Sequence, residues 1–218
     1  MRINNITEKS VCYIIGAMSV DEKGFSPKVG DFVIAADGGY MHLHKMGYKP
    51  DLLVGDFDSL GVIPEGENII RLPKEKNDTD TLYAVKLGME KGYRNFIIYG
   101  GIGGRLDHTI ANIQTLAFLT ERKCKGFLVG EGLVITAVKD SGINFTADKK
   151  GVISVFCNGG TASGVYLTGL KYPLTDACLT SDMPLGVSNE FIGVESRVAV
   201  EQGTLIIIWN EKNPDIFG

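Results

Sequence analysis

The sequence predicts an α/β N-terminal domain, a doubly wound and mostly parallel sheet with its helices, followed by an all-β C-terminal sandwich. Three observations carry that expectation. Short β-branched runs alternate with helix-period segments through the first half of the chain, whereas beyond residue 126 only closely spaced short apolar runs remain. Glycine is also abundant: 28 of 218 residues, close to twice the usual share of about 7%. The glycines gather immediately after the apolar runs, where turns and close backbone approaches are made.

Taken in order, residues 11–15 (VCYII), 32–36 (FVIAA), 52–54 (LLV), 69–72 (IIRL) and 96–99 (FIIY) read as strands. Most are apolar nearly throughout, as parallel strands covered on both faces must be. Residues 79–91 have helical spacing, with Leu82, Val85 and Met89 on one face, Tyr83 and Leu87 beside it, Asp78 as N-cap and Gly92 as stop. A second helix is expected over 107–122, burying Ile110, Ile113, Leu116, Ala117 and Phe118 or Leu119. His42 and His44 fall on a further short helix as surface or packing residues. From residue 127 the runs LVITAV, INFTA, VISVF, VYLTGL, FIGVE, VAV and TLIIIW are separated by Gly, Asp, Asn or Ser, and no helical period appears. The domains are therefore expected as 1–126 and 127–218, with the boundary between Lys123 and Gly132.

Composition narrows the function classes. The 22 basic and 26 acidic side chains leave a formal charge of −4, and the isoelectric point near 5.4 argues against a nucleic-acid binder, which needs a basic surface. No apolar stretch approaches the roughly 20 residues that span a membrane, and MRINNITEKS has no apolar core of a signal peptide; a cytoplasmic protein is expected. The cysteines (Cys12, Cys124, Cys157, Cys178) form no CxxC pair, so buried free thiols are expected rather than a zinc or redox site.

The acids carry the chemistry. FVIAA runs into Asp37-Gly38-Gly39, LLV into Gly55-Asp56-Phe57-Asp58-Ser59, the next strand into KEKNDTD (74–80), and FIIY into Gly100-Gly101-Ile102-Gly103-Gly104-Arg105-Leu106-Asp107-His108. In a parallel sheet all four groups converge on the carboxyl edge, where open α/β sheets bind their ligands. Asp37, Asp56, Asp58 and Asp80 gathered there would repel one another, and a hard divalent cation relieves the repulsion. Mg²⁺ takes carboxylate oxygens and keeps positions for substrate phosphates, while helix N-termini near Thr79 and Asp107 offer unpaired N–H groups. Lys76 and Arg105 would neutralise the remaining phosphate charge. Any one of these features alone is a turn or a helix cap; their coincidence at strand ends points to an Mg²⁺–polyphosphate site. Neither GxGxxG nor GxxxxGK[ST] occurs, which disfavours a dehydrogenase or a P-loop kinase.

Together ADGG (36–39), VGDFDS (54–59), NDTDT (77–81) and GGIGGRLDH (100–108) resemble thiamine pyrophosphokinases in order and spacing, and GLKYPL (169–174) and GVSNEF (186–191) are similar to that family's second-domain motifs. The resemblance implies a homodimer with thiamine between one subunit's α/β domain and the other's β domain. It implies the reaction ATP + thiamine → AMP + thiamine diphosphate, by direct attack of the thiamine hydroxyl on the β-phosphorus. Residue by residue, it puts Asp37, Asp56, Asp58 and Asp80 on the metal and polyphosphate positions. Lys76, Thr79, Gly100, Gly101, Arg105, Asp107 and His108 fall beside ATP, and Ser188, Asn189 and Tyr172 beside thiamine, with Tyr172 or Phe191 as an apolar face. Tyr172 stands where some relatives carry Trp, and Lys76 where some carry an uncharged polar residue. Two other readings compete. Asp56-x-Asp58 has the look of an aspartyl-phosphate phosphatase, against which stand its place well inside the chain and Leu60 where a hydroxyl residue is expected. A module that senses ATP or thiamine without turnover would need to hold phosphate, but not to keep every metal ligand.

Overall fold

The computed structural model describes residues 6–22, 24–57, 68–73, 75 and 77–211. Five apolar runs form the expected strands: β1 (Val11–Ile15), β2 (Phe32–Ala36), β3 (Leu52–Gly55), β4 (Ile69–Arg71) and β5 (Asn95–Tyr99). With β6 (Lys125–Gly130) they lie parallel in the order β6-β5-β1-β2-β3-β4. From β1 the chain steps outward through β2, β3 and β4, then returns to lay β5 on the other side of β1. That reversal opens a crevice at the carboxyl ends of β1 and β5.

Alternate residues of each strand feed two cores. Tyr13, Ile15, Val33 and Ala35 pack with Leu43 of α1 (Gly39–Lys45). Cys12, Ile14, Ile34 and Ile98 pack with Ala84 and Val85 of α2 (Asp80–Glu90) and Leu116 and Leu119 of α3 (Leu106–Thr120). Helices thus cover both faces of the parallel strands, and each fully buried aliphatic side chain contributes about 1.5–3 kcal/mol.

Three helix details differ from expectation. The N-cap of α2 is Thr79, whose Oγ1 accepts the Leu82 N–H at 3.2 Å; Asp78 instead pairs with Lys86 at 2.6 Å. The buried face of α2 is Ala84, Val85 and Gly88 rather than Leu82, Val85 and Met89. Close approach selects that face, since a Cβ on Gly88 would meet Phe96 Cε1 at 2.7 Å and Cys12 Sγ at 2.8 Å. In α3 the buried face is Asn112, Thr115, Leu116 and Leu119, and Ile110 is 50% exposed. The Asn112 amide donates to the buried Gly101 carbonyl at 2.9 Å, which fixes the phase of the helix.

The window from Lys123 to Gly132 holds β6, and the large sheet runs on through it. β6 turns tightly into β7 (Leu133–Lys139), and β14 (Thr204–Asn210), β9 (Val152–Cys157) and β12 (Gly186–Glu190) follow antiparallel. Among the described residues this sheet has ten strands. A four-stranded sheet, β11-β10-β13-β8, is built from β8 (Gly142–Phe145), β10 (Thr161–Thr168), β11 (Leu174–Thr180) and β13 (Ser196–Gln202). Its Val165, Leu167, Val198 and Val200 share a core with Ile153, Val155, Leu205 and Ile207 of the large sheet. Trp209 joins the halves edge-on, 6.4 Å from Phe127 and 5.3 Å from Phe145 between ring centres.

Three segments change assignment here. FIGVE is no strand: Phe191 makes only a single bridge to Leu170, and Gly193 turns the chain with φ 78°. LTDACLT and GVSNE, polar enough to pass for turns, are β11 and β12. Cys12 and Cys124 are buried free thiols, Cys157 is half-buried, and Cys178 is exposed, against the expectation of burial. Among the described residues no helix is long and apolar enough to cross a membrane.

Gly88→Ala is expected to lower stability by about 1–3 kcal/mol through overpacking against Cys12 and Phe96. Urea unfolding followed by far-ultraviolet circular dichroism measures it; an unchanged midpoint would show that the helix–sheet spacing is not set by that contact.

Candidate active site at the carboxyl edge

The strand ends come together because their glycines leave room for backbone. A Cβ on Gly39 would overlap the Ile15 carbonyl oxygen, and one on Gly16 would stand 2.6 Å from the Gly100 oxygen. Hydrogen bonds lock the crevice floor: the Gly16 N–H donates to the Tyr99 carbonyl at 2.8 Å and the Met18 N–H to Gly100 at 3.1 Å. Two non-glycine residues here are left-handed, Asp37 at φ 48° and Phe57 at φ 59°, a region that bulky side chains rarely enter. The Asp37 N–H donates to the Val54 carbonyl at 2.7 Å, tying the ends of β2 and β3 together. Phe57 is buried in the core and anchors the chain just after the half-buried Asp56.

A cleft of about 120 Å³ opens above this floor, and Asp37, Thr79, Asp80, Gly100 and His108 all line it. Asp80 begins α2 and His108 lies in the first turn of α3, so both helix N-termini face the cleft and favour an anion. Gly101 lies one residue beyond, buried, with its carbonyl held by Asn112. Arg105 and Asp107 are outside the lining and exposed. They form a forked pair, Nε to Oδ1 at 3.2 Å and Nη2 to Oδ2 at 2.5 Å. That hydrogen-bonded guanidinium holds the Asp107 carboxyl below the usual carboxylate range, and the carboxylate raises Arg105 in turn. Asp56 does not line the cleft, and Asp58 and Lys76 lie outside the described residues. Among the described residues no group of three or more His, Cys, Asp or Glu stands ready to hold a metal ion.

Sequence reasoning missed Gly16, Ala17, Met18, Thr81 and Asn112, which also line the cleft. Gly16 to Met18 follow the first strand, so the strand-end rule applied to the other groups would have found them. Asn112 gave no sign, being one polar residue on a helix face. A larger cavity of about 430 Å³, lined by Phe127, Phe145 and Trp209, holds none of the expected site residues.

The second-domain residues sit elsewhere, along β12. Asn189 is 3% exposed, and its side chain clamps the Tyr172 backbone: Oδ1 accepts the Tyr172 N–H at 2.9 Å and Nδ2 donates to the Tyr172 carbonyl at 2.7 Å. Ser188 stands at a bulge in left-handed geometry, φ 58°, its N–H donating to Ser154 Oγ at 3.1 Å. The Tyr172 ring is 56% exposed, with Lys171 over it. Phe191, expected as a pocket face, is instead core, 5.2 Å from the Phe145 ring.

Two family models match the chain: "Thiamin pyrophosphokinase, catalytic domain" over residues 28–128 and "Thiamin pyrophosphokinase, vitamin B1 binding domain" over residues 141–205. A curated relative from Bacillus subtilis, "Thiamine pyrophosphokinase", is 31% identical over 186 residues, 80% of this chain and 85% of that protein. The chain belongs to the thiamine pyrophosphokinase family.

Solved structures of the family superpose on nearly the whole chain. The crystal structure of thiamine pyrophosphokinase from Bacillus subtilis gives a TM-score of 0.81 at 26% identity, covering 93% of this chain and 99% of that one. The enzyme from Geobacillus thermodenitrificans gives 0.79 at 26% identity, covering 93% and 98%. The catalytic match contains Asp37, Asp56, Thr79, Asp80, Gly100, Gly101, Arg105, Asp107 and His108 of the carboxyl edge, and the vitamin-binding match contains Tyr172, Ser188 and Asn189.

Removing the clamp by Asn189→Ala leaves the Tyr172 N–H and carbonyl unpaired beside a buried cavity. A loss of about 1–3 kcal/mol is expected, read from denaturant midpoints. Arg105→Ala should raise the Asp107 pKa back toward ordinary carboxylate values, read by carbon-13 nuclear magnetic resonance titration; an unmoved value would show that the fork is not formed in solution.

Proposed function

We propose that this chain transfers the pyrophosphoryl group of ATP to the hydroxyl of thiamine, giving thiamine diphosphate and AMP. The observation that carries the reading is the cleft at the crevice between β1 and β5, where Asp37, Asp80, Thr79, Gly100 and His108 meet between two helix N-termini in a chain matched by both family models. Polyphosphate would lie against the α2 N-terminus and the glycine loop, with Lys76, Gly101, Arg105 and Asp107 beside the nucleotide. A transfer of this kind needs positioning and charge neutralisation more than a covalent nucleophile. As the thiamine oxygen bonds to the β-phosphorus, the bond from that phosphorus to the AMP oxygen breaks and the hydroxyl proton leaves. Asp37 or Asp80, both of which line the cleft, would accept that proton.

The donor set is hard carboxylate oxygen, which suits Mg²⁺; Asp56, Asp58, Asp80 and Asp37 would hold it. The ion supplies neutralisation of charge on the phosphate oxygens.

We further read residues 1–126 as the ATP-binding catalytic part and 127–218 as the thiamine-binding part. The two family matches, which end at residue 128 and begin at 141, support that division. Helices on both faces of the parallel strands support a doubly wound arrangement. The core shared by the large and small sheets supports a sandwich. We place the protein in the cytoplasm as a homodimer. Val152, Tyr172, Met183, Leu185, Val187, Ile192 and Val194, all exposed, lie on or beside β12, the edge strand of the large sheet. An apolar band of that kind marks an association surface. Thiamine would sit there against Tyr172 and Ser188, with Asn189 holding Tyr172 in place.

Purified protein given ATP, Mg²⁺ and thiamine should yield AMP and thiamine diphosphate in equal amounts, and EDTA should abolish both. ADP with thiamine monophosphate would overturn the pyrophosphoryl assignment, and ATP binding without thiamine-dependent turnover would make the chain a sensor. Asp56→Asn should lower turnover by orders of magnitude with the circular dichroism spectrum unchanged; near wild-type activity would remove Asp56 from the metal set.

A further inference from the structure

The hairpin joining β6 to β7 turns on two residues. Gly130 pairs with Leu133, and both residues between them are left-handed, Glu131 at φ 53° and Gly132 at φ 71°. Such a turn favours Asn-Gly or Asp-Gly, because a longer side chain is strained there. A glutamate is nevertheless held in place, with the Gly132 carbonyl pinned by the Glu211 N–H at 2.9 Å. Its carboxylate reaches onto the glycine loop that ends β5, so close that a Cβ on Gly103 would overlap Oε1.

The loop does not need Glu131 for support. Ile102 is buried, 3.6 Å from where a Gly130 Cβ would stand, and the Gly101 carbonyl is held by Asn112. Glu131 itself is exposed, and among the described residues no hydrogen bond or ion pair ties its carboxylate down. Strain without a structural return is a mark of function.

Position says which function. Asp37, Asp56 and Asp80 stand at the ends of β2 and β3 and the start of α2, on one side of the β1–β5 crevice. Glu131 stands at the end of β6, on the other side. In the ATP reading, polyphosphate among the first group leaves the ends of β5 and β6 to the nucleoside. A carboxylate there repels phosphate but accepts hydrogen bonds from hydroxyls, and its two oxygens match a vicinal diol. We infer that Glu131 is the ribose-binding acid of the nucleotide site, accepting hydrogen bonds from the 2′- and 3′-hydroxyls and selecting ribonucleotides over 2′-deoxyribonucleotides. The inference rests on the ATP reading above.

The test compares ATP with 2′-deoxy-ATP, by calorimetric binding without thiamine and by kcat/KM with it, for wild type, Glu131→Ala and Glu131→Gln. Wild type should prefer ATP by about tenfold or more, as expected for a hydrogen bond to a charged group. Glu131→Ala should bring the ratio near one, with the loss falling in KM for ATP, and Glu131→Gln should keep part of the preference. A wild type indifferent to the 2′-hydroxyl, or an alanine variant with the wild-type ratio, overturns the inference while leaving ATP binding intact. Equal weakening of both nucleotides with a lowered melting temperature overturns it too, by making Glu131 a support for the loop. Failure of wild type to bind ATP at all overturns the nucleotide reading and this inference with it.

Discussion

Backbone touching backbone at the carboxyl ends of β1, β2, β3 and β5 is the constraint on which the rest of this molecule depends. Strands in a sheet lie nearly 5 Å apart because side chains and hydrogen-bond geometry hold them there. Here a glycine stands at or within three residues of each strand end and presses on the neighbouring segment: Gly39 on Ile15, Gly16 on Gly100, and Gly55 within 3.0 Å of the Asp37 Cα measured from its would-be Cβ. Side chains at those points would push the strand ends apart and carry the acids away from one another. The left-handed Asp37 and Phe57 follow from the same crowding, since the chain has to turn sharply within one residue of the strand.

The same sheet couples the two halves of the chain. β6 is the last parallel strand and also the first partner of the antiparallel series, so neither half closes its own sheet. The edge-on contacts of Trp209 with Phe127 and Phe145 fill the joint, where aromatic area contributes more than its burial alone. At the far end β12 is an edge strand, bulged at Ser188 and bearing the Tyr172 loop through Asn189. A bulge and a tethered loop blunt an edge that would otherwise pair with another chain, and they leave apolar side chains rather than backbone facing outward.

Much of this was legible from residue order. β1, β2, β3 and β5 were readable because strands covered on both faces are apolar nearly throughout, which leaves little ambiguity. Asp37 and Asp80, the two expected acids that line the cleft, were legible because each lies just beyond an apolar run, and the resemblance to thiamine pyrophosphokinases rested on those same segments. The errors have equally specific causes. Thr79 displaced Asp78 as cap because Asp78 found Lys86, eight residues further on. Ala84 and Gly88 displaced Leu82 and Met89 because a helix lying tight on a sheet needs small residues at the contact, which a hydrophobicity pattern scores as weak. β11 and β12 went unseen because edge strands expose both faces and read as polar turns.

By itself, then, the sequence determined the parallel strands β1 to β5 and their order along the chain, the change to closely spaced short strands near residue 126, and the sequence positions of four acidic groups just after apolar runs; β6, the last parallel strand, fell on the all-β side of that change. Each of those follows from local composition and period. Tertiary structure decided which residues share the cleft: Asp37, Asp80 and His108 do, while Arg105 and Asp107 face each other outside it. It turned Asn189 inward onto the Tyr172 backbone, buried Phe191, and set Glu131 over Gly103. These outcomes depend on where distant segments meet and which polar groups they leave to be satisfied, and no periodicity within a segment records that.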